Sequence, residues 1–160
     1  MRLLGIASLF ATAALAVAQS PLTTTMVGGL VLGGYTTSNT IYFDVNVTNP
    51  SGLIFTQFDL RSQQSALASS IGIVDVYVTA AGGTQSANRA NAAAWTKVGT
   101  ANTTNVGTTN AILNTPFFLA TGTYGMAIHM QTIQAVYTNP ATPVPPLPTT
   151  FSNADLTIKI

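Results

Sequence analysis

Residues 40–47 read TIYFDVNV. Ile41, Phe43, Val45 and Val47 fall on one side of an extended chain, and Tyr42, Asp44 and Asn46 on the other. A short run of β-branched and aromatic residues with a period of two predicts a strand buried on one face only. The fold class follows from how often this pattern recurs.

Downstream, residues 49–52 (NPSG) form a turn by composition, and residues 53–60 continue with Ile54, Phe58 and Leu60 sharing a face. These two strands, joined through a Pro-Gly turn, predict a hairpin. Further strands are expected at 22–27, 71–79, 94–100, 111–120, 123–130, 133–138 and 154–160. Residues 111–120 and 123–130 are expected to pair around Thr121 and Gly122. Residues 62–70 are the one place for a helical turn. Residues 80–91 read as a small-residue loop, and 101–110 as a long turn or an edge. Residues 139–150 hold Pro140, Pro143, Pro145, Pro146 and Pro148, so they form a stiff surface loop and no central strand. The last segment must pair back into the sheet. Eight or nine short strands in one domain predict an all-β fold, a two-sheet antiparallel sandwich of jelly-roll-like form.

The N-terminus carries a different signal. Arg2 is followed by an apolar run from Leu3 to Leu15 and then by Ala16-Val17-Ala18. That is a basic, then apolar, then A-x-A sequence, the pattern of a secretory signal peptide over residues 1–18. Cleavage would leave a domain of residues 19–160, beginning with Gln19. No other run is long enough to cross a bilayer as a helix.

Cysteine is absent, which excludes disulfides, thiolate chemistry and Cys-ligated zinc. Five Lys and Arg stand against four Asp and no Glu; without Arg2 the balance is four against four. Such a chain has no electrostatic footprint for nucleic acid or anionic lipid. Near-zero net charge favours self-association over repulsion.

The order of motifs resembles a β-sandwich module of exported, mostly uncharacterised bacterial proteins. It runs F-D-V at 43–45, N-P-S-G-L at 49–53, F-D-L at 58–60 and V-D-V-Y-V-T at 74–79. A-A-W-T-K-V-G-T at 93–100, G-T-Y-G at 122–125, Y-T-N at 137–139 and F-S-N-A-D-L-T-I at 151–158 follow. The resemblance spans nearly the whole of residues 19–160. It implies fold class and export, and carries no established activity. It also implies a Gly-rich turn and a further aromatic strand after D-L-T-I. The sequence stops at Ile160, so it reads as a short member or as a domain lacking its final strand, which would leave an exposed edge.

Candidate functional residues are few. His129 is the only histidine, and alternation over 124–130 sets it on the face opposite Met126 and Met130. A shared copper site is therefore not expected, and a strand histidine is the simpler reading. Asp44, Asp59, Asp75 and Asp155 each stand alone in a strand pattern, with no D-x-D spacing. They are candidates for Ca²⁺ if the fold gathers two of them. No nucleophile-elbow, zincin or phosphate-loop motif is present, so no enzyme is expected.

Tyr42, Tyr77, Trp95, Tyr124 and Tyr137 are the candidate ligand-binding residues. Aromatic rings on a shared exposed face stack on sugars. The competing reading, favoured because a lone Trp usually lies inside, makes Trp95 the core anchor with the tyrosines at its rim. Asn46-Val47-Thr48 and Asn102-Thr103-Thr104 match the glycosylation sequon and carry no weight in a bacterial setting.

The sequence thus leads to a secreted or cell-surface protein. It would be a non-catalytic structural or adhesive module in extracellular material that self-associates; the alternative is a carbohydrate-binding module, Ca²⁺-stabilised, with a glycan as partner.

Overall fold

The computed structural model describes residues 22, 30–32, 40–64, 72–103, 107–131, 133–138 and 149–160. The expected signal peptide, the proline-rich loop up to residue 148, the expected first strand beyond Leu22 and residues 65–70 of the expected helical turn lie outside them.

Alternation is realised as expected in β2 (Thr40–Val47), where Phe43, Val45 and Val47 are buried and Asn46 is exposed. The other strands are β1 (Leu30–Leu32), β3 (Leu53–Gln64), β4 (Gly72–Val78), β5 (Thr96–Thr103) and β6 (Gly107–Leu119). They are followed by β7 (Gly122–Met130), β8 (Ile133–Thr138), β9 (Thr150–Ser152) and β10 (Leu156–Lys159). The one α-helix among the described residues is the single turn α1 (Gln85–Asn88), followed by a 3₁₀ turn over Ala92–Ala94. The fold is all-β. Residues 62–64, expected in a helical turn, continue β3, and much of 101–110, expected as a long turn or an edge, is strand in β5 and β6.

Every pairing is antiparallel, in the order β1-β8-β3-β6-β5-β4-β7-β2-β10-β9, and the sheet curls like half a barrel. The two expected hairpins do not form. β2 pairs with β7 and β10, while β3 pairs with β6 and β8. β6 and β7 do not pair either, although only Ala120 and Thr121 separate them. A short turn limits the distance between strand ends and nothing more. From Leu119 to Gly122 the chain spans at most about 11 Å, enough to step sideways to a neighbour or across to a facing strand. Here it leads from the β3–β6 ladder into the β2–β7 ladder.

The joint between β5 and β6 is narrow. Two register pairs, Ala101↔Leu113 and Asn102↔Ile112, connect them, whereas β4 and β5 share seven. Pro116 lies in the stretch where β6 slips against β3, between Phe117↔Phe55 and Ile112↔Gln57. Proline has no N–H for the ladder, so an interruption falls there at little cost.

One apolar cluster takes residues from strands on both sides of that joint. Leu53, Leu60, Ala111, Leu113 and Leu119 come from β3 and β6; Val45, Val74, Val76, Met126, Ile128 and Met130 come from β2, β4 and β7. With no disulfide to share the load, this core carries the stability.

The turn that leads β2 into β3 depends on Gly52. The Asn49 side chain accepts from Ser51 N at 2.8 Å, Gly52 N donates to Asn49 O at 3.0 Å, and Thr121 Oγ1 donates to the same carbonyl at 2.7 Å. Gly52 has φ 74°, and a Cβ there would meet the Phe118 ring and lie 2.6 Å from Leu119 O. Left-handed strain and a backbone clash add. Gly52→Ala is expected to cost about 2–4 kcal/mol in urea unfolding; a loss below about 1 kcal/mol would show that the turn relaxes freely.

Candidate aromatic recess

β7 is central to the site because it is paired on both flanks. Tyr42 of β2 and Tyr77 of β4 both face Ala127 across the ladder, and Thr40 and Asp75 both face His129 one row further on. Cross-strand partners project from the same face. Tyr42, Ala127 and Tyr77 therefore form one row on the outer surface, with a methyl group between two phenol rings. Met126, Ile128 and Met130 point the other way, into the core.

Residues 79–95 build the wall. Thr79 N donates to Gly125 O, and Gly125 N donates to Thr79 Oγ1, both at 2.9 Å. Gly82 N reaches Thr123 O at 2.8 Å. A Cβ on Gly125 would sit 2.8 Å from Gln85 N and 2.9 Å from the carbonyl carbon of Thr84, so glycine is what lets α1 lie on the sheet. Thr84 Oγ1 accepts from Ala87 N at 3.3 Å, which caps the turn. Asp44 Oδ1 accepts from Gln85 N at 2.6 Å and ties α1 to β2.

Trp95 follows the 3₁₀ turn, and its Nε1 donates to Asn88 O at 2.9 Å. That bond uses the indole's polar edge and leaves its ring for packing. The ring meets Tyr42 edge-on at 5.5 Å, and the Arg89 guanidinium lies 4.7 Å from the Tyr42 ring centre.

The result is an open recess of about 380 Å³. Thr40, Tyr42, Tyr77, Ala127 and His129 line it from the sheet, and Arg89, Ala90, Ala92 and Trp95 from the wall. Ala127 is 3% exposed yet lies outside the apolar core cluster, between Tyr42 and Tyr77. Thr40 Oγ1 and His129 Nδ1 lie 2.9 Å apart, which orients the imidazole. The hydroxyls of Tyr42 and Tyr77 have no hydrogen-bond partner among the described residues.

Three of the five aromatic residues singled out in the sequence, Tyr42, Tyr77 and Trp95, thus meet in one place. Trp95 is half-buried outside the core, contrary to the expectation that a lone Trp anchors it. Tyr124 does not join them: it is buried in the core and its hydroxyl donates to Ala120 O at 3.1 Å. The side chain of Tyr137 lies outside the described residues. His129 stood in the sequence only as a lone strand histidine or copper ligand, and Thr40 and Ala127 carried no binding signal; the ladder pairing brings them beside Tyr42 and Tyr77. Arg89 carried none beyond being one of few charges.

The aspartates are dispersed, and no group of three or more metal-ligating side chains occurs among the described residues. Asp44 serves α1. Asp59 accepts from Gln57 Nε2 at 2.9 Å on the surface, and Asp155 accepts from Asn49 Nδ2 at 2.8 Å. Asp75 is 3% exposed, and Lys97 Nζ (2.7 Å), Thr100 Oγ1 (2.9 Å) and Gln131 Nε2 surround it. Burial pushes its carboxyl up, but those hydrogen bonds and the Lys97 charge outweigh it, holding the group below its ordinary value of 3.8.

A carboxyl lowered by folding adds stability above its unfolded value and loses it as pH falls through the folded one. Asp75→Ala, which strands three donors, is expected to cost about 1–3 kcal/mol at pH 7. The stability gap between wild type and Asp75→Asn is expected to shrink as pH drops below 3.8. Denaturant titrations from pH 7 to 2.5 check both; a gap that stays constant would show that Asp75 gains nothing from its partners.

Comparison with protein-family models, with curated proteins and with solved structures finds no match for this chain.

Proposed function

We propose that this chain is an exported, non-catalytic carbohydrate-binding module. The observation that carries the proposal is the convergence of Tyr42, Tyr77 and Trp95 on one open recess. Sugar rings offer apolar C–H faces and ring-edge hydroxyls. The recess offers aromatic rings for the faces, and Thr40, His129 and two tyrosine hydroxyls for the edges. Each aspartate is committed to a structural hydrogen bond and none lines the recess, which supports binding over a carboxylate-pair hydrolysis.

The architecture we propose is the two-sheet, jelly-roll-like sandwich. Short connections between unpaired strands support it, as does the core cluster drawn from both sides of the β5–β6 joint. So does the approach of β8 to β4, which are not ladder neighbours: a Cβ on Gly72 would lie 2.8 Å from Ile133 Cδ1. Facing layers about 10 Å apart accommodate all three.

A second reading, self-association in extracellular material, draws on one surface feature. Ile54 and Phe118 are cross-strand partners on β3 and β6, 61% and 57% exposed, and Ile112 is 62% exposed. An apolar group of that kind on a nearly uncharged chain favours contact between copies.

Export is checked by N-terminal sequencing of the protein recovered outside the cell. Gln19 is expected as the first residue, and an intact Met1 would overturn it. For the recess, a glycan array run with and without Ca²⁺ is expected to give hits. Trp95→Ala, Tyr42→Ala and Tyr77→Ala are each expected to weaken the strongest by about tenfold or more, since one stacked ring is worth about 1–3 kcal/mol. Phe118→Ala, an exposed ring on β6 away from the recess lining, serves as the comparison. An array without hits under both conditions removes the carbohydrate reading.

A further inference from the structure

The recess is unevenly charged. Arg89 and His129 line it, and no carboxylate does. The two aspartates nearest in the ladder are spent elsewhere. Asp44, two residues beyond Tyr42, turns to Gln85 N, and Asp75, opposite His129, is neutralised by Lys97 at 2.7 Å. Asp59 and Asp155 bond to Gln57 and Asn49. Among the described residues the ion pair is Lys97–Asp75, and Arg89 has no carboxylate partner.

Arg89 is exposed, and among the described residues its side chain contacts the Tyr42 ring. Stacking on an aromatic face restrains a guanidinium while leaving its in-plane N–H donors unused. Such a fork matches a carboxylate in two parallel hydrogen bonds. With four cationic and four acidic side chains beyond residue 18, an unpaired arginine held over a binding recess has few other calls on it.

From this we infer that the recess selects acidic sugars: a uronic acid unit whose ring lies against Tyr42, Tyr77 and Trp95 and whose carboxylate is taken by Arg89. The inference rests on the carbohydrate reading and narrows it to a substrate class. Discrimination comes from the charge of one substituent. The stacked ring contributes equally to an acid and to its uncharged ester.

The test is a panel of oligouronides of several linkages, each paired with its methyl ester, titrated by calorimetry at low and moderate salt. The acid is expected to bind about tenfold or more tightly than its ester for at least one linkage. That ratio falls as salt shortens the screening length. Arg89→Gln is expected to bring the ratio within about twofold while ester binding persists, and Arg89→Lys to retain part of it. Equal binding of acid and ester by the wild type overturns the inference and leaves the carbohydrate reading standing. So does a preference that survives Arg89→Gln, or binding confined to neutral glycans. No binding of any glycan removes both.

Discussion

β7 is hydrogen-bonded along both edges, to β2 on one side and β4 on the other, and the rest of the molecule is arranged around that double pairing. Its inward residues, Met126, Ile128 and Met130, sit deep in the core. Its outward residues, Ala127 and His129, lie in the floor of the recess. Gly125 receives the loop that becomes the recess wall. One nine-residue strand therefore couples stability to site geometry. A change of register by one residue would exchange the two faces, putting methionine where His129 stands and histidine into the core. The flanking ladders, eight register pairs with β2 and five with β4, prevent that slip.

Apart from the contacts of Trp95 and Arg89 with the Tyr42 ring, the wall reaches its place through small polar contacts. Residues 79–95 carry little apolar surface. Hydrogen bonds to Gly125, Thr123 and Asp44 hold them, together with the caps of Thr84 and Asn91. Each such bond contributes about 0.5–1.5 kcal/mol, so several are needed to fix a loop. This division suits the site. The sheet supplies a rigid row of side chains, and the loop supplies Arg89 and Trp95 at a position set by backbone geometry more than by packing.

What the sequence discloses and what it conceals divide along physical lines. Period-two alternation is local, so β2, β4 and β8 are readable from their own residues. Pairing is not local. The turns at 49–52 and 120–121 look like hairpin turns because they are short, yet their strands belong to different ladders. The half of the site that lies on strands was within reach, since Tyr42 and Tyr77 sit on outward phases. On the loop, Trp95 was a candidate yet expected in the core, and Arg89 was not singled out. Trp95 leaves the core because Asn88 O takes its indole N–H, and nothing in an Ala-, Ser- and Asn-rich stretch announces that bond. The aspartates look interchangeable in sequence, yet one caps a helical turn, one is buried beside a lysine and two bond to amide side chains.

The order in which the ladders can close carries a further consequence. β2 is completed on its second flank by β10, more than a hundred residues later in the chain. During synthesis the backbone of residues 44–47 must wait, its N–H and C=O groups on that flank unpaired, until residues 156–159 have emerged. Closure over so long a span is slow, and the waiting edge is the template on which another nascent copy could add a strand. Asp44 and Asn46 stand on that edge, a charge and an amide of the kind that disfavours strand addition.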